Sequence, residues 1–407
     1  MVTSANLSQS RKVLALAALF LSTMCTESDM VITPVVSSLY QVFEGSPTWL
    51  INLGITGPAF IGLPFCLLGG WLSDHYDKKR IMVAFFALFT VSSTFGAAIP
   101  NVYYFVVMRQ FAAGVAWAVT NAAALVIIAD MFPGEEEHGR VVGYYGAASS
   151  VMGALLSVLA GLLATSGGWT GAFRTYLISI PVLLMLVAFL PSCPPTGLKG
   201  GKRDMVKESG AGAWWKRLMP LFVQALLVCT CYLVLIYMPS VYVTDAGIGD
   251  ESFTGVMAAV VCVTSGLGAL FFGTAYKRFK HAVYLPALFV MGLGFVLMAA
   301  HPTNGVALGS AAIIGLMWPF YLSYIWVRCT ELVPADKWGQ ATGILSVADG
   351  VSSAMSSYVV TGGMALTGAS SVLQIWPAFG VILIAVGIAS TFWYVLRGRK
   401  SDLSAKA

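Results

Sequence analysis

The sequence predicts an all-α membrane protein of twelve transmembrane helices in two parallel six-helix repeats, and three observations carry that expectation. Of 407 residues, 58% are hydrophobic and 10% charged, against about 25% charged in a soluble domain, so water is not the solvent for most of this surface. The cations gather on one side of the apolar runs. A spaced motif recurs in the second half in the same orientation. The net charge of +5 is therefore read through its distribution, and no nucleic-acid partner is expected.

Hydropathy places the spans at 13–40, 47–72, 80–99, 103–128, 141–165, 174–191, 218–242, 253–275, 282–300, 304–327, 340–362 and 371–396, each long enough for a bilayer core of about 30 Å. Arg11 and Lys12 precede the first run as they would in a signal peptide. No convincing small-residue cleavage site follows before Glu27, and eleven more runs come after, so the first run reads as a helix. With the chain starting inside, 21 of the 23 Lys and Arg fall on the cytoplasmic side, Arg174 lies near the outer face and Arg109 lies within a span. That bias puts both termini in the cytoplasm of a multi-pass cell-membrane protein, the inner membrane if the cell is Gram-negative.

The stretch from Ser192 to Trp215 is the only long break, rich in Pro, Gly and Lys. It divides the chain into an N-terminal bundle (1–191), a cytoplasmic linker (192–217) and a C-terminal bundle (218–407). The repeat supports that division: Asp130, Pro133, Gly139, Arg140 and Gly143 recur as Glu331, Pro334, Gly339, Gln340 and Gly343, at offsets of 201 or 200. Both copies follow the fourth span of their half, as a parallel repeat requires.

Between the second and third spans, Gly69 to Arg80 reads GGWLSDHYDKKR. The stretch resembles the signature G-x-L-[AS]-D-x-x-G-[RK]-[RK] of the major facilitator superfamily, matched by Gly70, Leu72, Ser73, Asp74, Lys78 and Lys79. Asp77 stands where the family has Gly and is expected to hold a left-handed turn. Gly273 to Lys280 is a counterpart that keeps a Gly and the cations but lacks the Asp. The resemblance covers essentially the whole chain. It implies a latch in which Asp74 caps the eleventh helix at Trp338 and Gly339 while Lys78 or Lys79 pairs with Asp130, with Arg140 in the same repeated block. A carboxylate at a helix N-terminus is favoured by about 0.3–2 kcal/mol, a fitting size for a bistable contact.

Charges inside the spans are few: Glu27, Asp29, Arg109 and Asp349. Each costs at least about 2.5 kcal/mol on insertion scales and is a functional candidate by default. At 1.5 Å per residue, Glu27 lies about 21 Å from the inner end of its helix and Arg109 about 9 Å from the outer end of its own, which are matching depths. Glu27 and Asp29 are about 200° apart around a helix, so one is expected to meet Arg109 and the other a neighbouring helix or the outer mouth. Arg109 resembles the fourth-helix Arg of many facilitators. Ala113, Ala116 and Thr120, with Trp117 and Asn121 at the edge, are expected to form a small, polar wall beside it.

Ser149, Gly153, Ser157 and Gly161 make a small stripe on the fifth helix. They fit the antiporter frame G-x-x-x-G-P-x-x-G-G only in part, Ser157 and Val158 replacing its Gly-Pro. Asp349 shares a face with Thr342, Ser346, Ser353 and Ser356, read as either a cavity wall or a seam between helices. Gln224, Tyr232, Tyr237, Trp318, Tyr321, Tyr324 and Trp326 are further cavity candidates, although aromatics in spans more often pack or anchor. Pro34, Pro58, Pro239 and Pro319 mark expected bends. His75, His138, His281 and His301 lie near helix ends, where no mid-membrane relay is expected. The seven Cys read as small core residues, and no metal-ligand spacing appears, so neither a metal nor a cofactor is expected.

The expected function is secondary active transport of a small organic molecule by alternating access, by a monomer embedded in lipid and coupled to protons through Glu27, Asp29 or Asp349. ESDMVITP, from Glu27 to Pro34, and the fourth-helix Arg are similar to the twelve-helix drug:proton antiporters, which implies efflux. The alternative is a nutrient or organic-anion symporter in which Arg109 binds a substrate carboxylate. A non-transporting receptor or scaffold would need no coupling carboxylates. An enzyme is not expected, because no span holds a His-rich cluster, a Ser with a His partner at depth, or a metal-ligand set.

Overall fold

A computed structural model of the chain describes residues 9–132, 134–193, 214–333 and 338–404. Helices dominate and no strand element forms among them, as expected where lipid offers the backbone no hydrogen bonds. The first span is built from Gln9–Leu21, Thr23–Thr26, Asp29–Ile32 and Val36–Val42, and the second from Thr48–Ile55 and Pro58–His75. Lys78–Thr94 is the third; Val102–Arg109 and Trp117–Met131, joined by a seven-residue π-helical stretch, form the fourth. Glu135–Phe173 and Ser179–Phe189 supply the fifth and sixth. The seventh is Trp214–Tyr237 with Pro239–Ala246, and the eighth to twelfth are Glu251–Phe279, Tyr284–Ala300, Asn304–Leu332, Trp338–Thr367 and Trp376–Ser404.

On length and composition alone, 6 of the described helices qualify as spans, or up to 8 with each bent pair counted once. The others have physical reasons for falling short. The fifth and sixth run on through Gly168 (φ 57, ψ −155), where the chain reverses. The third and ninth have 17 residues each, and the eleventh is rich in Ser and Gly. Most of the expected linker (194–213) and positions 133 and 334–337 of the repeated block lie outside the described residues.

The repeat shows in the packing. In the first half the second span packs on the fourth and the third on the sixth; six positions on, the eighth packs on the tenth and the ninth on the twelfth. Across the halves, the fifth meets the eighth and the second meets the eleventh. The small stripe explains the first of these. A Cβ on Gly161 would lie 2.6 Å from the Glu251 carbonyl oxygen, and one on Gly255 would lie 2.5 Å from that of Ser157. The Ser157 hydroxyl donates to the Gly255 carbonyl at 3.0 Å.

Two of the expected bends fall elsewhere or take another form. The first span breaks at Glu27 and Ser28, before Pro34, with a bend of 50°. Ser22 and Thr23 donate to the Leu19 and Phe20 carbonyls at 2.6 Å, which loosens the turn above, and the buried Tyr176 hydroxyl caps the Ser28 carbonyl at 2.7 Å. Pro58 and Pro239 do begin new helical pieces, whereas Pro319 sits inside a continuous helix.

Candidate functional site

A cavity of about 1330 Å³ lies between the halves. Its deep end is formed by Asp29, Tyr237 and Ser353, and its walls run past Trp117, Asn121 and Trp326 to Gly343, near the helix ends on the basic face that carries Lys78 to Arg80. The opposite end is closed by hydrogen bonds between halves. Asn52 Nδ2 donates to Thr361 Oγ1 at 2.9 Å, Thr56 Oγ1 to the Ala354 carbonyl at 2.9 Å, Ser38 to Glu251 at 2.7 Å and the Tyr358 hydroxyl to the Trp49 carbonyl at 3.0 Å. Thr33 Oγ1 reaches the Ile236 carbonyl at 2.9 Å, and Ser240 that of Pro34 at 2.9 Å.

At the deep end, Arg109 Nη2 meets Asp29 Oδ1 at 2.5 Å, and the Tyr237 hydroxyl donates to Asp29 Oδ2 at 2.7 Å while lying 2.9 Å from Ser353 Oγ. The fourth and seventh spans thus bond the one carboxylate of the first, and the eleventh joins through Tyr237. Arg109 is 2% exposed, and its other bonds explain how it is tolerated. The second span breaks after Ile55, which frees carbonyls. Arg109 Nε donates to that of Gly54 at 3.1 Å, Nη2 to that of Ile55 at 3.4 Å, and Gln110 Nε2 to that of Leu53 at 2.8 Å. Arg109 is therefore sealed behind Asp29 and does not line the cavity, contrary to its expected place as a substrate contact.

Glu27, on the other side of the break, accepts from Ser149 Oγ at 2.6 Å. It lines the cavity and has no cation within ion-pair distance among the described residues. Asp349 also opens onto the cavity. The eleventh span changes role along its length: Ser346, Asp349 and Ser353 form wall, whereas Ser356 and Ser357 are buried in the seam. Thr342 has its side chain outside the described residues.

Several expected wall residues sit behind it. Ala113, Trp117 and Asn121 line the cavity, but Ala116 and Thr120 are buried, because the π-helical stretch offsets the face that a regular 3.6-residue period projects. Of the C-terminal candidates, Tyr232 and Tyr237 line the cavity. Trp318 stacks behind Tyr232 at 3.8 Å, Tyr324 stacks on Tyr284 at 4.2 Å, Tyr321 is fully buried, and Gln224 donates to Ser390 Oγ of the twelfth span at 3.2 Å. These four are packing residues. Trp326, the last of the expected aromatics, is in the wall, whereas sequence reasoning missed Met30 and the thiols Cys66 and Cys262, also in the wall; the break beside Glu27 is what turns Met30 inward.

At the basic face, Lys78, 1% exposed, meets Asp130 at 2.7 Å. Asp77 is not left-handed (φ −61, ψ 120). It is the N-cap of the third span, accepting from Arg80 N at 3.1 Å, while the Ser192 hydroxyl donates to its other oxygen. An N-cap asks for extended backbone and a short side-chain acceptor, which Asp supplies and Gly does not. Lys79 lines a separate surface cleft and Arg140 is exposed. Gly70 and Asp74 lie on Pro58–His75, but the surroundings of both, like the expected cap on Gly339, fall outside what is described.

The family model described as Major Facilitator Superfamily matches residues 15–357. The chain belongs to that superfamily. Among relatives of this facilitator, the uncharacterized MFS-type transporter EfpA of Mycobacterium tuberculosis is 26% identical over 210 residues, covering 52% of this chain and 36% of its own length. The 3-(3-hydroxy-phenyl)propionate transporter of Escherichia coli is 25% identical over 386 residues, covering 87% of this chain and 85% of its own. Multidrug resistance protein Stp of M. tuberculosis is 26% identical over 160 residues, covering 39% of this chain and 28% of its own. The facilitator thus spans about a third of the length of the mycobacterial relatives it matches. The fold is shared with the solved nucleoside transporter NupG, at TM-score 0.79 and 13% identity over 94% of this chain and 99% of that one. A bacterial homolog of the lysosomal transporter Spinster gives 0.74 and 15% over 95% and 98%.

Proposed function

We propose that this facilitator is a proton-coupled efflux transporter of lipophilic organic cations, with both termini and the basic face in the cytoplasm. On that reading the cavity is open to the cytoplasm and closed to the outside. The observation that carries the substrate class is the charge of the cavity wall. Glu27 and Asp349 face it, Arg109 is withdrawn, and no Lys, Arg or His is among the described lining residues. Trp117, Tyr232, Tyr237 and Trp326 add π faces, which attract desolvated cations by about 0.5–2 kcal/mol each.

The two first-span acids divide the work. Protonating Asp29 costs an ion pair with Arg109 and reduces the bond from Tyr237 from charge-assisted to neutral, and so loosens the contact that ties the first span to the seventh and eleventh. Protonating Glu27 costs no ion pair. Glu27 therefore exchanges the proton against a cationic substrate, and Asp29 holds the outer closure. The organic-anion symport reading loses its proposed carboxylate ligand, because Arg109 is sealed away from the cavity.

The test is proton flux in proteoliposomes against a panel of lipophilic cations and aromatic acids. Outward proton-linked movement of cations with no response to the acids is expected. Uptake of acids with protons, and no response to cations, overturns the reading.

A further inference from the structure

A second cleft, of about 540 Å³, lies on the basic face at the outside of the N-terminal half, between the starts of the first and third spans and the end of the sixth. Arg11, Lys79 and Arg80 stand around it, with Val83, Val187 and Phe189 in its wall. None of the three cations makes an ion pair with a carboxylate among the described residues. Asp77, the one acid in the wall, has both oxygens engaged by Arg80 N and Ser192. Three like charges around one concavity repel, and an anion between them removes that cost. The apolar wall is continuous with exposed Leu14, Leu184 and Val187, the surface that faces acyl chains in a membrane protein. A soluble anion would have no use for that wall.

We propose that this cleft binds an anionic phospholipid of the adjoining leaflet, its phosphate on Arg11, Lys79 and Arg80 and its chains along Val83, Val187 and Phe189. Basic pockets between spans at the cytoplasmic side are suited to such headgroups. The site touches the transport machinery at one corner: Lys78, the ion-pair partner of Asp130, donates its backbone N–H to the Cys193 carbonyl at 3.0 Å.

The experiment is native mass spectrometry of the full chain with phosphatidylglycerol or phosphatidylcholine of identical acyl chains. Preferential retention of phosphatidylglycerol is expected, lost in the triple variant Arg11→Gln, Lys79→Gln, Arg80→Gln and kept in the control Lys277→Gln, Arg278→Gln, Lys280→Gln on the other half. Because the triple change can disturb insertion, each cation is also replaced singly, with about a fivefold loss of preference expected per cation. Equal retention of the two lipids by the unaltered chain, or a preference that survives every substitution, overturns the proposal. Displacement of phosphatidylglycerol by millimolar inorganic phosphate or glycerol phosphate overturns the lipid in favour of a free anion.

Discussion

The turns after the second and eighth spans occupy equivalent places in the two halves and are built with different strength. In the first half, a buried Lys78 bridges from the third span to Asp130 at the end of the fourth, and Asp77 caps the helix that Lys78 begins. In the second half, the counterpart acid Glu331 takes a local bond from Arg328 of its own helix at 2.7 Å, at 24% and 34% exposure, plus the Tyr276 hydroxyl at 3.1 Å and, from the turn itself, the exposed His281 Nδ1 at 3.7 Å. The chain there turns through Lys280 at φ 49, ψ −128. The same scaffold holds a buried clamp on one side and a solvated cluster on the other. Embedded charge follows the same asymmetry, since Glu27, Asp29 and Arg109 all belong to the first half, and the second answers with hydroxyls, aromatics and Asp349.

Lys78→Ala should break this comparison most visibly. Removing one partner of a buried pair costs about 3–5 kcal/mol, and the lower end is expected because Asp130 reaches water. Arg328→Ala, in an exposed pair, should cost under about 1 kcal/mol. Thermal unfolding of both variants in the same detergent checks the ratio, and equal losses would remove the asymmetry. Next in size is Tyr237→Phe, which deletes the hydroxyl bonded to Asp29 and near Ser353. A hydrogen bond to a charged group is worth about 1.5–3 kcal/mol, so the closed end opposite the basic face should open at least tenfold more often, read as accessibility of a thiol placed at Thr361. Smaller than either clamp variant, and opposite in sign, is Lys280→Gly, expected to raise stability by about 1 kcal/mol because a left-handed position suits glycine. Asp77→Gly should lower it by removing the cap, although both changes restore glycine to a turn.

The span pattern and the placing of Arg109 at the depth of the first-span acids were legible in sequence, because apolar runs and a lone buried cation are strong signals. The helical faces were not. The tenth span is apolar on every side and has almost no amphipathic direction, so Trp318, Tyr321 and Tyr324 could not be turned inward or outward from spacing alone. The offset that buries Thr120 comes from a π-helical stretch whose cause is non-local: Arg109 and Gln110 reach carbonyls freed in another span. The break at Glu27 and Ser28 is likewise set by Tyr176, 148 positions away, with no Pro or Gly at the break to announce it. Asp77 was misread because its place in a glycine-containing signature suggested backbone geometry, whereas its side chain supplies an acceptor.

The central claim is that Glu27 carries the exchangeable proton while Asp29, clamped by Arg109 and Tyr237, holds the closure. Glu27→Gln and Asp349→Asn reconstituted side by side test it most directly, with substrate-driven proton movement and substrate exchange measured on the same vesicles. Loss of proton movement with exchange retained in Glu27→Gln, and both retained in Asp349→Asn, is the predicted result. A Glu27→Gln protein that still moves protons, beside an Asp349→Asn protein that does not, would contradict it.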